Sequence, residues 1–480
     1  MEKVLQRIFI VFFFLLCALP IIGLLLGYRN DNAEKRVLAK WPSFFVEGKI
    51  NQKYPSEIEE YLADHFAFRP LMVTADAKLK ASVFRESTSE MVIIGKEGWL
   101  FFQPTLDDYQ HVNKLSDNDL YRINRILEIQ EEYLSRQGVR MVFMVAPNKS
   151  SIYPEYMPDR FVCLDSKSDY ERLREKLEYS QINVINLHEA LSGRNVQVYH
   201  KFDTHWNNLG ATICYGLMVE EMKKVNPSLN LVNYESEPYV FEKNFDGDLS
   251  KMLYPSMGIL DDQAVFDIAG EFRTVRPMRS PEDLLIQTNN ESGQPIEVLM
   301  FRDSFANALI PFLSGSINAI TYSRAVPYDY ALLTEETDIV FVEIAERNLS
   351  VLLQGPTNMP SYRVERVFDI CDATLETKAM WMPTQEGVFI YGVAIPESGD
   401  RESNYEIYLR LHSDNEEFTF VTIPVLEGPY VQEESLNANA AFSARIDFAT
   451  LPSGIYSASV VVCGPQDYEG VLQDIQFEVP

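Results

Sequence analysis

Phe202-Asp203-Thr204-His205-Trp206 sets a carboxylate and an imidazole two residues apart where an apolar segment ends. In an extended backbone, side chains at i and i+2 point the same way. Asp203 can therefore hold one ring nitrogen of His205 while the other faces outward, which is how a general base is fixed in one tautomer. The nucleophile for such a base lies downstream, where the apolar run Val298-Leu299-Met300-Phe301 stops at Arg302-Asp303-Ser304-Phe305 and a helical pattern begins. This spacing predicts Ser304 on a strand-to-helix turn.

Around these two stretches the chain has an α/β rhythm from about Asp117. Leu120, Ile123, Leu127 and Leu134 fall on one helical face that ends near Gly138. Val139 to Ala146 then reads as a strand leading into Pro147-Asn148-Lys149-Ser150. A helix from Tyr170 to Tyr179, strands at Val184 to Leu187 and Val196 to His200, and a helix from Asn208 to Lys224 follow. After Ser304 come strands near Ala319 and at Ile339 to Glu343, then a helix beginning near Glu346-Arg347. Short apolar strands alternating with longer helices imply a mostly parallel sheet covered on both faces, with ligands at the carboxyl ends of strands. Asn148, Asp203, His205 and Ser304 all follow predicted strands, so one site can contain them. Residues 230–295 break the rhythm and are expected to form an insertion around the site. Gly247-Asp248-Leu249-Ser250 in it looks like a hydrolase nucleophile block, but no apolar strand precedes it, so Ser250 is not assigned as nucleophile.

Upstream, Asn51 to Leu71 reads as helix and Met91 to Phe102 as a hairpin; His65 and His111 read as structural. Beyond about Arg366 the runs Gly387–Ile395, Tyr405–Leu411, Phe418–Pro424, Ala441–Phe448 and Ile455–Val462 describe a small antiparallel sandwich. Trp381, Tyr430 and Tyr456 there read as core rather than as sugar-stacking rings. At the other end, Ile8 to Gly27 carries no charge. At about 1.5 Å per residue it spans roughly the 30 Å core of a bilayer. No small-x-small cleavage site follows it, so an uncleaved anchor is expected, with an outward-facing globular part. The expected domains are therefore an anchor over 1–29, an α/β domain over 30–365 and a β-sandwich over 366–480.

At 480 residues, with 46% hydrophobic and 12% aromatic content, the chain can fill more than one core. Its net charge of −28, from 42 basic and 70 acidic side chains, argues against nucleic acid and favours a neutral or zwitterionic substrate unless a local basic groove intervenes. Five scattered cysteines with no CxxC or Cys/His cluster give no metal site and leave disulfides undecided. No cofactor is expected.

Taken together, Asp203-Thr204-His205-Trp206 with Gly210-Ala211, Arg302-Asp303-Ser304-Phe305, Gly95 to Phe101, Pro147-Asn148-Lys149 with Ile152-Tyr153-Pro154-Glu155, and Glu346-Arg347 resemble the SGNH hydrolase-like domain of bacterial alginate O-acetyltransferases and the related DHHW proteins. The resemblance covers roughly residues 30–352 and includes the order in which the Asp-His pair precedes the serine. The DHHW pattern has His where this chain has Thr204. The resemblance implies an SGNH-like three-layer domain and O-acylation, usually acetylation, of a cell-surface or exported polysaccharide beside a multi-pass membrane O-acyltransferase that supplies acyl groups. It implies Ser304 as nucleophile, His205 as base and Asp203 as its partner. The Ser304 N–H and the Asn148 side chain are oxyanion candidates; Trp206, Lys149 and Arg302 are substrate-binding candidates, with solvation preferred for the two cations. A glycan O-acetyl esterase would use the same residues, and a non-catalytic polysaccharide assembly or binding protein would keep the fold. The sandwich resembles carbohydrate-binding modules in texture alone.

Overall fold

A computed structural model of the chain describes residues 2–25, 38–46, 48–65, 67–268, 270–371, 375–396, 404–414, 416–426, 440–464 and 466–480. Its centre is one sheet of seven strands: β1 (Arg140–Ala146), β2 (Asn183–Ile185), β3 (Arg273–Thr274), β4 (Leu285–Asn289), β5 (Gln294–Phe301), β6 (Ile317–Ser323) and β7 (Ile339–Ala345). They lie in the order β2-β1-β7-β5-β6-β4-β3. The first five in that order are parallel, and β4 and β3 add an antiparallel edge.

Side-chain alternation along the strands builds the layers. On one face Met141, Phe143 and Val145 meet Leu120, Ile123 and Leu127 of the helix Asp117–Ser135. On the other, Val142, Met144 and Ala146 meet Tyr215, Met218 and Met222 of the helix Asn208–Val225. β7, in the middle, is buried at every position. The helix starts carry their own signals: Ser116 with Asp119 and Ser168 with Glu171 form capping boxes, and Asn207 caps Asn208–Val225.

Three expectations are corrected. Val196 to His200 is not a sheet strand; Asn207 N–H donates to Val198 O and Tyr199 bridges Trp206, so the loop satisfies its own backbone. Asn51 to Leu71 is not one helix. Pro70 is tolerated only in a first turn, and with Phe68 at φ 66° it starts a second helix after Tyr54–His65. Residues 230–295 are only partly an insertion, because Ile286 and Thr288 alternate inward and join the sheet as β4. The helix expected to begin near Glu346-Arg347 is present, as a 3₁₀ helix over Glu346–Gln354.

The C-terminal strands are β8 (Leu375–Pro383), β9 (Gly387–Pro396), β10 (Glu406–His412), β11 (Glu417–Val421), β12 (Ile423–Pro424), β13 (Ala441–Asp447), β14 (Gly454–Cys463) and β15 (Asp467–Val479). They form two antiparallel sheets, β8-β9-β13-β12 and β11-β10-β14-β15, that close over a shared core. Tyr408, Val421 and Val461 also join the core beneath Asp117–Ser135. The sandwich therefore packs directly on the α/β layers. Tyr456 is core, 1% exposed, and Trp381 packs near Phe477; Tyr430 lies outside the described residues.

The N-terminal helix α1 covers Glu2–Leu25, and its side chains from Ile8 to Leu15 are exposed. Among the described residues no helix is long and apolar enough to cross a membrane. The expected span is thus not found among the described residues.

Candidate active site

The three neighbouring parallel strands β1, β7 and β5 end on the same edge of the sheet. Beyond β1 comes Asn148-Lys149, beyond β7 Glu346-Arg347, and beyond β5 Arg302-Asp303-Ser304. Ser304, with αR torsions, precedes the 3₁₀ turn Phe305–Leu309, so the predicted strand-to-helix turn is present. Asp303 holds that turn. One carboxylate oxygen accepts from Phe305 N–H at 2.9 Å and the other from Ala345 N–H at 2.7 Å and Asn348 Nδ2 at 3.2 Å.

His205 Nε2 lies 2.8 Å from Ser304 Oγ, and His205 Nδ1 lies 2.7 Å from Asp203 Oδ1. The pair meets by a different route from the expected extended strand. Asp203 Oδ1 also accepts from the His205 backbone N–H at 2.9 Å, which is the geometry of an Asx turn. Its other oxygen accepts from Asp248 N–H at 2.7 Å. Burial would raise the Asp203 pKa, but His205, by charge and hydrogen bond, and the two backbone N–H groups outweigh it and hold the carboxyl well below its usual range. For His205 burial acts downward; Asp203, and then Asp248, overcome it and raise the imidazole above its ordinary value. The imidazole remains 22% exposed, so a substrate can reach it.

The loop that presents the pair is held on all sides. Lys149 Nζ donates to His200 O at 3.0 Å, Lys201 O at 3.3 Å and Asp203 O at 2.5 Å, and lies over the rings of Trp99 and Phe101. It is 4% exposed, and burial lowers its pKa to about 8. Gly210 must be glycine because a Cβ there would come within 2.5 Å of Val198 O; at Gly247 it would come within 2.3 Å of Phe202 O. Asp248, opening the short helix Asp248–Leu253, accepts from Thr204 N–H at 2.9 Å and from Thr204 Oγ1 at 3.0 Å. Burial, and then the charge of Asp203, raise the Asp248 pKa.

The expected binding residues take different places. Trp206 is 1% exposed and packs edge-on to Phe305. Arg302 is 2% exposed and ties the end of β5 to Asn307 and to the carbonyl of Pro281. Neither these nor Lys149 is a solvated or substrate-facing group. Asn148 is buried, and its amide donates to Asp108 Oδ2 at 3.0 Å while its backbone N–H donates to Glu346 Oε2 at 2.8 Å. Burial, and then Glu346, push Asp108 up to about 7. Ser250 is buried and donates to Gly247 O, a helix-turn role. His65 and His111 bond backbone carbonyls, as expected of structural histidines. Sequence reasoning missed Asp248, whose signal was the Gly-Asp pair of the rejected nucleophile block, and the role of Arg347. That guanidinium lies 5.2 Å over the Phe305 ring, and its Nη1 is buried without a hydrogen-bond partner among the described residues.

Residues 92–285 match the family model described as the SGNH hydrolase-like domain of the acetyltransferase AlgX. A probable alginate O-acetylase AlgJ of Pseudomonas aeruginosa is 27% identical over 240 residues, 48% of this chain and 58% of the relative. The probable AlgJ of Azotobacter vinelandii is 25% identical over 182 residues, 37% and 45% of the two chains. The chain thus spans about half the length of the curated relatives it matches. Among solved structures, Bacillus cereus PatB1 is similar at 16% identity with a TM-score of 0.44, over 54% of this chain and 98% of that one. A DHHW family protein from Eubacterium siraeum is similar at 13% with a TM-score of 0.39, over 54% and 95%. The resemblance drawn from the motifs is therefore shown. The matched span contains Asp203, His205 and Asp248 and ends before Ser304.

Proposed function

With an AlgX-type SGNH hydrolase-like domain over residues 92–285 as the premise, we propose that this chain is a serine O-acyltransferase that modifies polysaccharide hydroxyls, acetyl being the group carried. The observation that carries this reading is the relay Asp203 Oδ1 to His205 Nδ1 at 2.7 Å and His205 Nε2 to Ser304 Oγ at 2.8 Å. His205 takes the Ser304 proton as the serine oxygen attacks the acyl carbonyl carbon, and Asp203 stabilises the imidazolium. The imidazolium then protonates the leaving group, and the acyl-serine remains. A sugar hydroxyl attacks that ester, giving its proton to His205, which returns it to Ser304 as the C–O bond to serine breaks. The oxyanion takes the Ser304 N–H and the second hydrogen of the Asn148 amide as donors, each worth ~10²–10³ in rate.

The names of the relatives support an acetyl group and a polysaccharide acceptor. The exposed apolar side chains of α1 support an anchor that holds the globular part outside the cytoplasmic membrane, where a multi-pass acyltransferase would supply acyl groups. A positioned hydroxyl outcompetes water through effective molarity. The test incubates the chain with an activated acetyl ester and neutral oligosaccharides. Acetylated sugar should form faster than free acetate, and Ser304→Ala should abolish both. Acetate dominating at saturating acceptor would mean an esterase, and an inert Ser304→Ala substitution would remove both enzyme readings.

A further inference from the structure

We propose that the outward face of the helix Arg69–Phe84, here α2, and the basic cleft beside it form a docking surface for the anionic headgroups of a lipid bilayer. α2 packs inward through small side chains. Thr74 and Ala77 are buried; Thr74 Oγ1 bonds Ser256 N–H at 3.1 Å and Oγ at 2.9 Å, and Ala77 meets Leu249 and Leu253. At 3.6 residues per turn, Met72, Leu79 and Val83 share the stripe opposite that contact. They are 50%, 61% and 60% exposed. Large apolar side chains opposite a docked face are what a helix lying in a membrane interface presents, and water alone does not account for them.

Asp76 lies on the same stripe but is paired with Lys80 at 3.0 Å, and the cleft beside the stripe carries a basic excess. A cleft of about 1090 Å³ runs along α2, lined by Lys78, Leu79 and Arg85 from the helix side, Lys96 from the turn of the hairpin, and Arg160. Glu97 and Asp159 are its acidic members, and Asp159 pairs with Lys96 at 2.6 Å. Four basic side chains against two acidic ones stand out in a chain of net charge −28. The surface is also continuous with α1: a Cβ at Gly23 would come within 2.3 Å of the Ala67 Cβ, so the end of α1 abuts the turn that opens α2. A phosphate-bearing bilayer surface satisfies both features. A soluble polyanionic glycan would use the cations and leave Leu79 and Val83 in water.

The test uses the full chain in vesicles of phosphatidylcholine alone or mixed with phosphatidylglycerol, with a brominated phosphatidylcholine as quencher. Flotation reports retention by α1, and the emission added by Leu79→Trp, after subtraction of the wild-type signal, reports docking of α2. That emission should be blue-shifted and quenched in the phosphatidylglycerol vesicles. Lys78→Gln combined with Arg85→Gln should weaken docking roughly 30-fold, at roughly fivefold per cation near an anionic surface. Val83→Trp repeats the measurement one turn on, so a local defect at one position does not decide it. Trp emission indifferent to brominated lipid at both positions would overturn the proposal, as would displacement of the docked state by a soluble polyuronate. Either result leaves the transferase reading, tested through Ser304, standing or falling on its own.

Discussion

The backbone N–H of Asp248 donates to Asp203 Oδ2 at 2.7 Å, while the Asp248 carboxylate accepts the backbone N–H of Thr204 at 2.9 Å. The two aspartates thus bracket the turn that carries His205, one touching the imidazole and the other fixing the loop from behind. One carboxylate oxygen of each and a ring nitrogen of His205 all lie within 4.8 Å of one another. Asp203 and Asp248 raise the His205 pKa, and Arg347 opposes them.

Asp248→Asn should therefore move the acid limb of the pH–rate profile to lower pH. The sign follows because the base must be neutral to accept the serine proton, and removing a nearby negative charge makes imidazolium easier to deprotonate. Asp248→Ala should in addition lower kcat by ~10-fold or more, since a buried Thr204 N–H left unsatisfied costs about 1–3 kcal/mol. A purely structural role would lower activity without moving the limb, and that outcome in steady-state profiles would refute the assignment.

Lys149→Met should destabilise the protein by about 2–4 kcal/mol, because three carbonyls lose a shared buried donor at once. Lys149→Arg should not restore it, since a planar guanidinium cannot replace a compact ammonium among converging carbonyls. Urea denaturation measures the loss. Activity preserved at full stability in Lys149→Met would show that the 200–203 loop stands without it.

How far the sequence reached can be judged from these same residues. Strand–helix alternation predicted β1, β5, β6 and β7, because fully covered parallel strands read as continuous apolar runs. It gave Ser304 its turn, and the two-residue Asp-His spacing survived even though the backbone there is an Asx turn. Lys149 and Arg302 read as solvated because a charge is usually exposed. What buries them is a set of carbonyls brought in from distant loops, and no local pattern reports that. Asp248 was hidden for the same reason: its partners lie more than forty positions back in the chain. β8 and β15 were missed because charged and turn-forming residues interrupt their alternation.

His200 and His188 should make the fold acid-labile. Burial lowers both to about 4, against a usual value of about 6.5. Between those values the unfolded chain binds protons that the native chain refuses, so stability is complete above about pH 6.5 and is lost as pH falls toward 4. For fully buried His200, stacked on Phe245 at 3.6 Å, the loss is up to about 3 kcal/mol. His200→Phe should keep the stack and flatten the slope; denaturation midpoints with an unchanged slope between about pH 7 and about pH 5 would exclude it.

Arg347 packs on Phe305 beside the nucleophile, and its geometry differs from that of Lys149 and Arg302. Their charged ends are tied to carbonyls, whereas Arg347 rests on the faces of Phe305 and Phe102 with Nη1 buried and, among the described residues, unpartnered. Phe305 follows Ser304 directly and its ring lies edge-to-face with that of His205, 4.8 Å between centres, so the guanidinium packs one side chain away from the nucleophile and its base, and the prediction is that it faces the negative charge that develops during acyl transfer. A donor aimed at that charge acts on the transition state more than on bound substrate. Arg347→Ala should therefore lower kcat by ~10²-fold with a smaller change in KM. Arg347→Lys should recover part of the rate, since an ammonium can occupy the same aromatic face without the forked donors. Steady-state kinetics with an acetyl ester decide the matter. A rise in KM at constant kcat would assign Arg347 to ground-state binding, and equal loss in the Ala and Lys variants would show that the two N–H groups matter more than the charge.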